Sequence, residues 1–493
     1  MTPGAALSVL AAAREAPGRL AAVTEHGASL TFAQLAREVA GAARHLSELP
    51  GAPSEPVAVV AERRLSTAVA IFALAELGVP AVLLHPRLRP SEREELLARA
   101  FPGLHASRIL GPGAAPPQTT ATPASTSSTS CALGAATNPE PPPADDRPLI
   151  YAFTSGSRGA PKAVELSRRA VAASVAASAA HLGWRPDDRW QVFLPLAHVG
   201  GLSILFRCLA ARRAFVLEPE GRFTAAKILA SMRARRVTLA SAVPAMLRDL
   251  VDAGGSPPPR LRALLLGGAP APPSLLREAA RAGFPVLTTY GMTETASQIA
   301  TWPASEPLDP RRGAGALLPG VEVDIRDGRI FIRGEMLMTR YVPTEGERSP
   351  IGADGFFDTG DRGELSPGGF LRPLGRTDDT IITGGENVDP ADVEAALCRA
   401  PSVASAIATG IPDPRRGEVV AAAVVARPGT GSAAAVRAEV TALARRHLAA
   451  FKRPAKLEIW PNLPLTPSGK PDRRAARARL ENAPPAARAD FER

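Results

Sequence analysis

The 493-residue chain reads as an α/β protein, with a large N-terminal part of parallel and mixed sheets flanked by helices and a small α+β C-terminal part. Three observations predict this. Between Pro56 and Leu84 the chain runs strand, helix, strand, the pattern of a parallel α/β unit. From Val321 it changes to short strands with Gly turns. Beyond Arg376 it changes again, to helices around a pair of apolar runs.

The elements follow in order. Pro56–Val60 and Pro80–Leu84 are short, continuous apolar runs and predict buried strands, with Leu65–Leu77 as the helix between them. Residues 107–147 are rich in Gly, Pro, Thr and Ser and offer almost nothing to bury, so they predict a disordered surface insertion. A strand resumes at Pro148–Phe153, runs into a Ser/Gly turn, and is followed by a helix from about Arg168 to His181. Further strands are expected at Trp190–Leu194, Arg213–Leu217, Leu261–Leu266 and Val286–Thr289. Val321–Arg326 and Arg329–Arg333 flank Asp327-Gly328, a strong hairpin signal. In the C-terminal part, 391–398 and 432–449 read as helices and 403–427 as two strands. The Arg- and Ala-rich tail beyond Lys470 is expected to be partly disordered. No internal repeat is visible.

Composition narrows the class. Hydrophobic residues make up 45% and charged residues 22%, which is globular and excludes whole-chain disorder and collagen. Cys131, Cys208 and Cys398 show no metal-ligand or redox spacing, which favours a reducing cytoplasm over a disulfide framework. The longest apolar run, Ala68–Leu84, is broken by Glu76, Gly78 and Pro80 and reads as core, so no membrane anchor is expected. The N-terminal apolar stretch lacks a basic lead and does not read as a signal peptide. The net charge of +10 suits an enzyme that handles anions better than a nucleic-acid binder, because no basic segment is interleaved with aromatics.

Five motifs carry the chemistry. Thr154-Ser-Gly-Ser-Arg-Gly-Ala-Pro-Lys162 follows a strand; its glycines turn backbone N–H groups toward an anion and its lysine adds charge. Its spacing is not that of a Walker A loop. In Tyr290-Gly-Met-Thr-Glu-Thr-Ala-Ser-Gln298, a Tyr can stack on a base, a Thr can bond phosphate and a Glu can hold Mg²⁺. The same residues could equally cap a helix. Asp358-Thr-Gly-Asp361 presents a carboxylate on a Gly turn. Gly375-Arg-Thr-Asp-Asp-Thr-Ile-Ile-Thr-Gly-Gly-Glu-Asn387 and Leu465-Thr-Pro-Ser-Gly-Lys470 complete the set. Each alone is also an ordinary turn.

Together, in this order, the five motifs resemble the adenylate-forming superfamily of acyl-CoA synthetases, luciferase-like enzymes and peptide-synthetase adenylation domains. The resemblance covers the chain apart from 107–147. It implies an N-terminal AMP-binding domain over 1–376 that includes a small β-barrel-like part, and a mobile C-terminal domain over 377–493. Leu194-Pro-Leu-Ala-His-Val-Gly-Gly-Leu-Ser-Ile-Leu-Phe-Arg207 and Thr295-Ala-Ser-Gln298 look like the 2-succinylbenzoate–CoA ligases of menaquinone biosynthesis.

The resemblance implies a reaction in two halves: a carboxylic acid and ATP give acyl-AMP and pyrophosphate, then CoA takes the acyl group. Thr154, Ser155, Gly156, Ser157, Gly159 and Lys162 would cover the phosphates. Tyr290 and Gly291, with Gly267, Gly268 and Ala269, would form the adenine pocket. Thr293 would touch the α-phosphate, Glu294 would bind Mg²⁺, and Asp361 with Arg376 would hold the ribose. Lys470 would serve adenylation. Asp378 would be the hinge that swaps Lys470 for the Gly384-Gly385 loop at the CoA tunnel. His198, Arg207, Ser297 and Gln298 would contact the acid. An Arg within an apolar stretch needs a partner if buried, and a substrate carboxylate would supply one.

Three departures stand out: Arg158 for a threonine in the phosphate loop, Ala163 for a glycine after Lys162, and Arg340 for a glycine before Tyr341. Other aryl or fatty acids, a carrier protein loaded in trans, or nucleotide binding without catalysis remain the alternatives. Oligomeric state is not readable.

Overall fold

The computed structural model describes residues 6–52, 55–104, 106–111, 146–154, 162–221, 223–342, 350–383, 386–466 and 470–483. They form three sheets with helices packed on them.

The largest sheet has two halves. Six strands run parallel in the order Val286–Met292, Ala263–Leu266, Leu239–Ala242, Arg189–Val192, Ala214–Leu217, Leu20–Val23, with Ser29–Thr31 added antiparallel at the edge. These strands are short and nearly all buried, as expected when helices cover both faces. Beyond Val286–Met292 the sheet turns antiparallel through Ser297–Thr301, Gly315–Leu317, Phe370–Arg376, Phe357–Leu365, Arg329–Arg333 and Glu322–Arg326. The Asp327-Gly328 hairpin forms with φ of 50° and 73°. Positive φ at both central residues is the turn that matches strand twist.

A second, six-stranded sheet has the order Arg340–Val342, Lys162–Ser167, Pro148–Thr154, Ala81–Leu84, Val57–Val60, Ile109–Leu110. Helix Leu65–Leu77 connects two of its parallel strands and is buried from Thr67 to Ala75. A helix apolar all round belongs between layers; here Phe72 meets Phe206 and Phe215.

The chain leaves the large sheet at Arg376, makes a short turn over Thr377–Asp379, and enters the third sheet at Ile381–Thr383. That sheet pairs Ile381–Thr383 with Glu386–Val388 and Gly417–Ala426, and the last strand also with Val403–Asp413 and Lys456–Ile459. Helices Pro390–Leu397 and Ala433–His447 bury Val393, Leu397, Val436 and Val440 against it.

One expectation needs correction. The insertion does not begin at 107: Ile109–Leu110 pairs with Val57–Val60, because two apolar residues can complete a sheet edge. Residues 112–145 lie outside the described residues. Within the tail beyond Lys470, Arg473–Asn482 forms a helix, because Ala476 and Leu480, four apart, bury against Trp460 and Ile407; residues 484–493 lie outside the described residues.

Candidate active site

The site lies at the carboxyl ends of the parallel strands, where open α/β sheets bind ligands. Val286–Met292 carries Tyr290 and Gly291, and Thr293–Thr295 makes a single tight turn back into Ser297–Thr301. A side chain at Gly291 would meet Ser297 O at 1.9 Å, so only glycine permits the strands to close there. The buried Thr295 hydroxyl accepts from Met292 N–H and donates to Ser297 O at 2.8 Å. Ala296 and Ser297 both take positive φ.

Asp361 and Arg376 are cross-strand partners in the antiparallel pair. Register alone therefore sets their side chains together, with Arg376 Nη1 3.3 Å from Asp361 Oδ1. Tyr290 Oη donates to Asp361 Oδ2 at 2.5 Å. Burial raises the Asp361 carboxyl, against the pull of Tyr290, Arg376 and Lys470.

Burial also raises Glu294, while a hydrogen bond from Tyr341 Oη to its Oε1, at 3.0 Å, and the nearby Arg376 and Lys470 oppose it. Tyr341 lies in strand Arg340–Val342, which pairs with Lys162–Ser167. The Lys162 ammonium sits 5.0 Å from the Tyr341 ring centre. Thr154 and Lys162 stand opposite each other at the ends of their strands.

Lys470 arrives from the third sheet's side of the molecule. Thr466 N–H donates to Lys470 O and Lys470 N–H donates to the Thr466 hydroxyl, which pinches the loop. A carbon built on Gly268 would lie 3.5 Å from Lys470 Cε. Lys470 is exposed, since the cleft is open to water, yet protein surrounds it closely enough to lower its pKa; Glu294 and Asp361 oppose that shift. Two acids and two bases thus converge where a nucleotide's phosphates could sit.

The acid-side wall is apolar with isolated polar groups. His198 caps helix Val199–Ala210, and its ring lies 5.3 Å from that of His85. Burial, His85 and Lys470 lower His198 to about 4. Arg207 is 3% exposed. Its Nη2 donates to Ser297 Oγ at 3.1 Å and its guanidinium lies 5.3 Å from the Trp190 ring. Its Nε has no partner, and among the described residues it pairs with no carboxylate. Burial lowers its pKa to about 9.

Comparison with known proteins shows the family. Residues 9–342 match the AMP-binding enzyme family, and residues 392–470 match the AMP-binding enzyme C-terminal domain. The chain belongs to the AMP-binding enzyme family. It is similar to the 2-succinylbenzoate–CoA ligase of Bacillus licheniformis, 34% identical over 92% of this chain and 95% of that one. The Bacillus cereus enzyme of that name is 33% identical over 92% and 94%. Among solved structures, o-succinylbenzoate CoA synthetase from Bacillus subtilis with the acyl-adenylate intermediate OSB-AMP has a TM-score of 0.81. It is 31% identical and covers 97% of this chain and 98% of that one. The same enzyme with ATP and magnesium ion gives 0.78 at 31% identity, covering 96% and 99%.

In this AMP-binding enzyme the structure brings Gly268, Tyr290, Glu294, Asp361, Arg376 and Lys470 together, with Gly267, Ala269, Gly291 and Thr293 next to them in the chain and Thr154 and Lys162 on a hairpin of the second sheet. Ser155, Gly156, Ser157, Gly159, Gly384 and Gly385 lie outside the described residues, as does the side chain of Asp378. The backbone of Asp378 sits in the turn between the large and third sheets. Gln298 is engaged at both ends of its amide, accepting from Ser178 and donating to Thr301. This leaves it as a brace for the strand more than a group aimed at the cleft.

Sequence reasoning missed His85 and the work of Arg340. Strand register sets Arg340 opposite Glu165, and Arg340 Nε donates to the buried Glu165 carboxylate at 3.0 Å. Tyr151 Oη donates to the same oxygen. A basic residue in place of glycine and a buried acid on the neighbouring strand are one feature. Only the pairing of residues 175 apart makes it visible.

Proposed function

We propose that this protein is an ATP-dependent, AMP-forming acid–thiol ligase that adenylates 2-succinylbenzoate and passes the acyl group to CoA, as a step of menaquinone biosynthesis in the cytoplasm. The observation that carries the substrate choice is Arg207, a buried guanidinium that no carboxylate among the described residues neutralises. An unpaired buried charge is costly unless a ligand supplies the counter-charge. 2-Succinylbenzoate carries two carboxylates. One must approach the α-phosphate; the other is free to take the Arg207 fork. Ser297, bonded to Arg207, lies three residues from Glu294, within about 11 Å of chain. The two ends of a small dicarboxylic acid can span that distance. Similarity to the Bacillus ligases over nearly the whole chain supports the same reading.

The residues divide the work of the first half-reaction. Its difficulty is bringing a carboxylate and a polyphosphate, both anions, into contact. Lys470 supplies the positive charge between them, and Thr293 a hydroxyl for the α-phosphate. Tyr290 and the Gly267–Ala269 turn would hold the adenine. Asp361, steadied by Tyr290 and Arg376, would accept the ribose hydroxyls. Thr154, Lys162 and the loop between them would cover the distal phosphates. Glu294 fits Mg²⁺ as a single protein carboxylate, since that ion takes one or two carboxylates and completes its shell with phosphate oxygens and water. Bound there, Mg²⁺ would neutralise phosphate charge.

His198 is held neutral near Lys470 and lines the path of the acid. In the second half-reaction, rotation at Asp378 of a C-terminal domain over 377–493 would withdraw Lys470 and open the site to CoA.

The test is thioester formation with ATP, Mg²⁺ and CoA, read by mass spectrometry across 2-succinylbenzoate, benzoates and fatty acids. Strong preference for 2-succinylbenzoate is expected. Turnover only of monocarboxylic acids would overturn the substrate assignment, and adenylate without thioester would point to a carrier-protein acceptor.

A further inference from the structure

The parallel half of the large sheet has two ends, and the nucleotide cleft uses only the carboxyl end. At the opposite end, where strands Leu20–Val23, Arg189–Val192 and Ala214–Leu217 begin, lies a separate cavity of about 190 Å³. Six arginines line it: Arg19, Arg189, Arg212, Arg213, Arg236 and Arg260. Two acids join them, and both are already engaged. Asp187 pairs with Arg260 at 3.0 Å and Asp188 with Arg262 at 2.6 Å. Arg212 pairs with Glu15. Arg19, Arg189, Arg213 and Arg236 pair with no carboxylate among the described residues.

Arg189, Arg212 and Arg213 are held in place by backbone carbonyls. Arg189 Nη1 donates to Arg235 O at 3.0 Å, and Arg213 Nε donates to Arg185 O at 2.6 Å. Arg212 and Arg236 follow helices that end at Ala210 and Ala234, and their φ values are 54° and 55°. Glycine is the usual residue at such left-handed helix ends, so arginine there carries a backbone cost. Burial and the neighbouring Arg236 and Arg260 lower the pKa of Arg189; burial and Arg19 lower that of Arg213.

We propose that this cavity is a second anion site, for a small phosphate-class polyanion such as inorganic pyrophosphate. Guanidinium forks bind phosphate oxygens bidentately, and six arginines against two carboxylates leave a net positive cavity that suits a polyanion better than a single carboxylate. The volume is below the usual range for nucleotide-sized ligands, which suits a small inorganic anion. The cavity lies across the sheet from Lys470, separated by strands of four residues, about 13 Å long. Occupancy therefore does not compete directly with ATP.

The test is calorimetric titration of the intact protein with inorganic pyrophosphate, beside the variant Arg19→Gln/Arg236→Asn. Among the described residues neither side chain makes a hydrogen bond that holds the fold, and Asn tolerates the left-handed backbone at 236. Two binding events are expected in the parent protein. The variant should lose one of them, with at least tenfold weaker affinity, and keep pyrophosphate's inhibition of adenylation against ATP. Unfolding temperatures of the two proteins would establish that the variant is folded. A single event in the parent, or unchanged isotherms in a folded variant, would overturn the proposal. Loss of the event that competes with ATP, with the other retained, would equally overturn it.

Discussion

Tyr341 Oη donates to Glu294 Oε1 across 3.0 Å, joining the edge strand of the second sheet to the turn that would hold the metal. The strand that carries Tyr341 is pinned by its neighbour, Arg340, on Glu165. A residue outside the cleft thus positions the Glu294 carboxylate.

Arg340→Gly should leave the buried Glu165 carboxylate with Tyr151 as its one remaining side-chain donor among the described residues. The expected loss of stability is about 1–3 kcal/mol, the cost of stripping a partner from a buried polar group. The Mg²⁺ concentration for half-maximal adenylation should rise several-fold with kcat largely kept. Arg340→Lys should restore most of both. An unchanged Mg²⁺ requirement in the glycine variant would remove the positioning role.

Lys470→Ala should lower adenylation by about 10²–10³-fold, the usual loss when one preorganised charge is removed from a developing transition state. Thioester formation from supplied acyl-AMP and CoA should be largely spared. The two rates, measured separately, check this; equal losses would contradict a lysine that serves one half-reaction.

Arg207→Met should raise KM for 2-succinylbenzoate by about 10–100-fold, since a hydrogen bond to a charged group contributes about 1.5–3 kcal/mol. The free protein should be no less stable, because the variant buries an apolar side chain where an unneutralised charge stood. Steady-state kinetics and a denaturant titration together decide the point. A large fall in stability with KM unchanged would make Arg207 structural.

His198 is held at about 4, so it stays neutral from pH 8 to 5 and should add no inflection to the rate profile there. Its folded pKa lies below the unfolded value of about 6.5. The unfolded chain therefore binds the proton first, and stability falls as pH drops below 6.5. Between pH 7 and 5 the loss from this group is about 2 kcal/mol. Unfolding free energies at both pH values, with His198→Gln as the control lacking that increment, provide the measurement.

The chain's own pattern determined the elements. Leu65–Leu77 is apolar on every side and becomes a buried helix, and Asp327-Gly328 closes the hairpin it signals. The same locality made the motifs legible, because a phosphate loop or a metal-holding turn is built from neighbours in sequence. Tertiary structure decided what crosses between elements. It set Arg340 against Glu165 and Arg376 against Asp361 by strand register, turned Gln298 onto Ser178 and Thr301, and collected six arginines at the far end of one sheet. Local propensity acts over a few residues, whereas register and burial depend on partners on other elements, 175 residues away in the case of Arg340 and Glu165. Charge pairing inside the protein therefore became readable only once the sheets had formed.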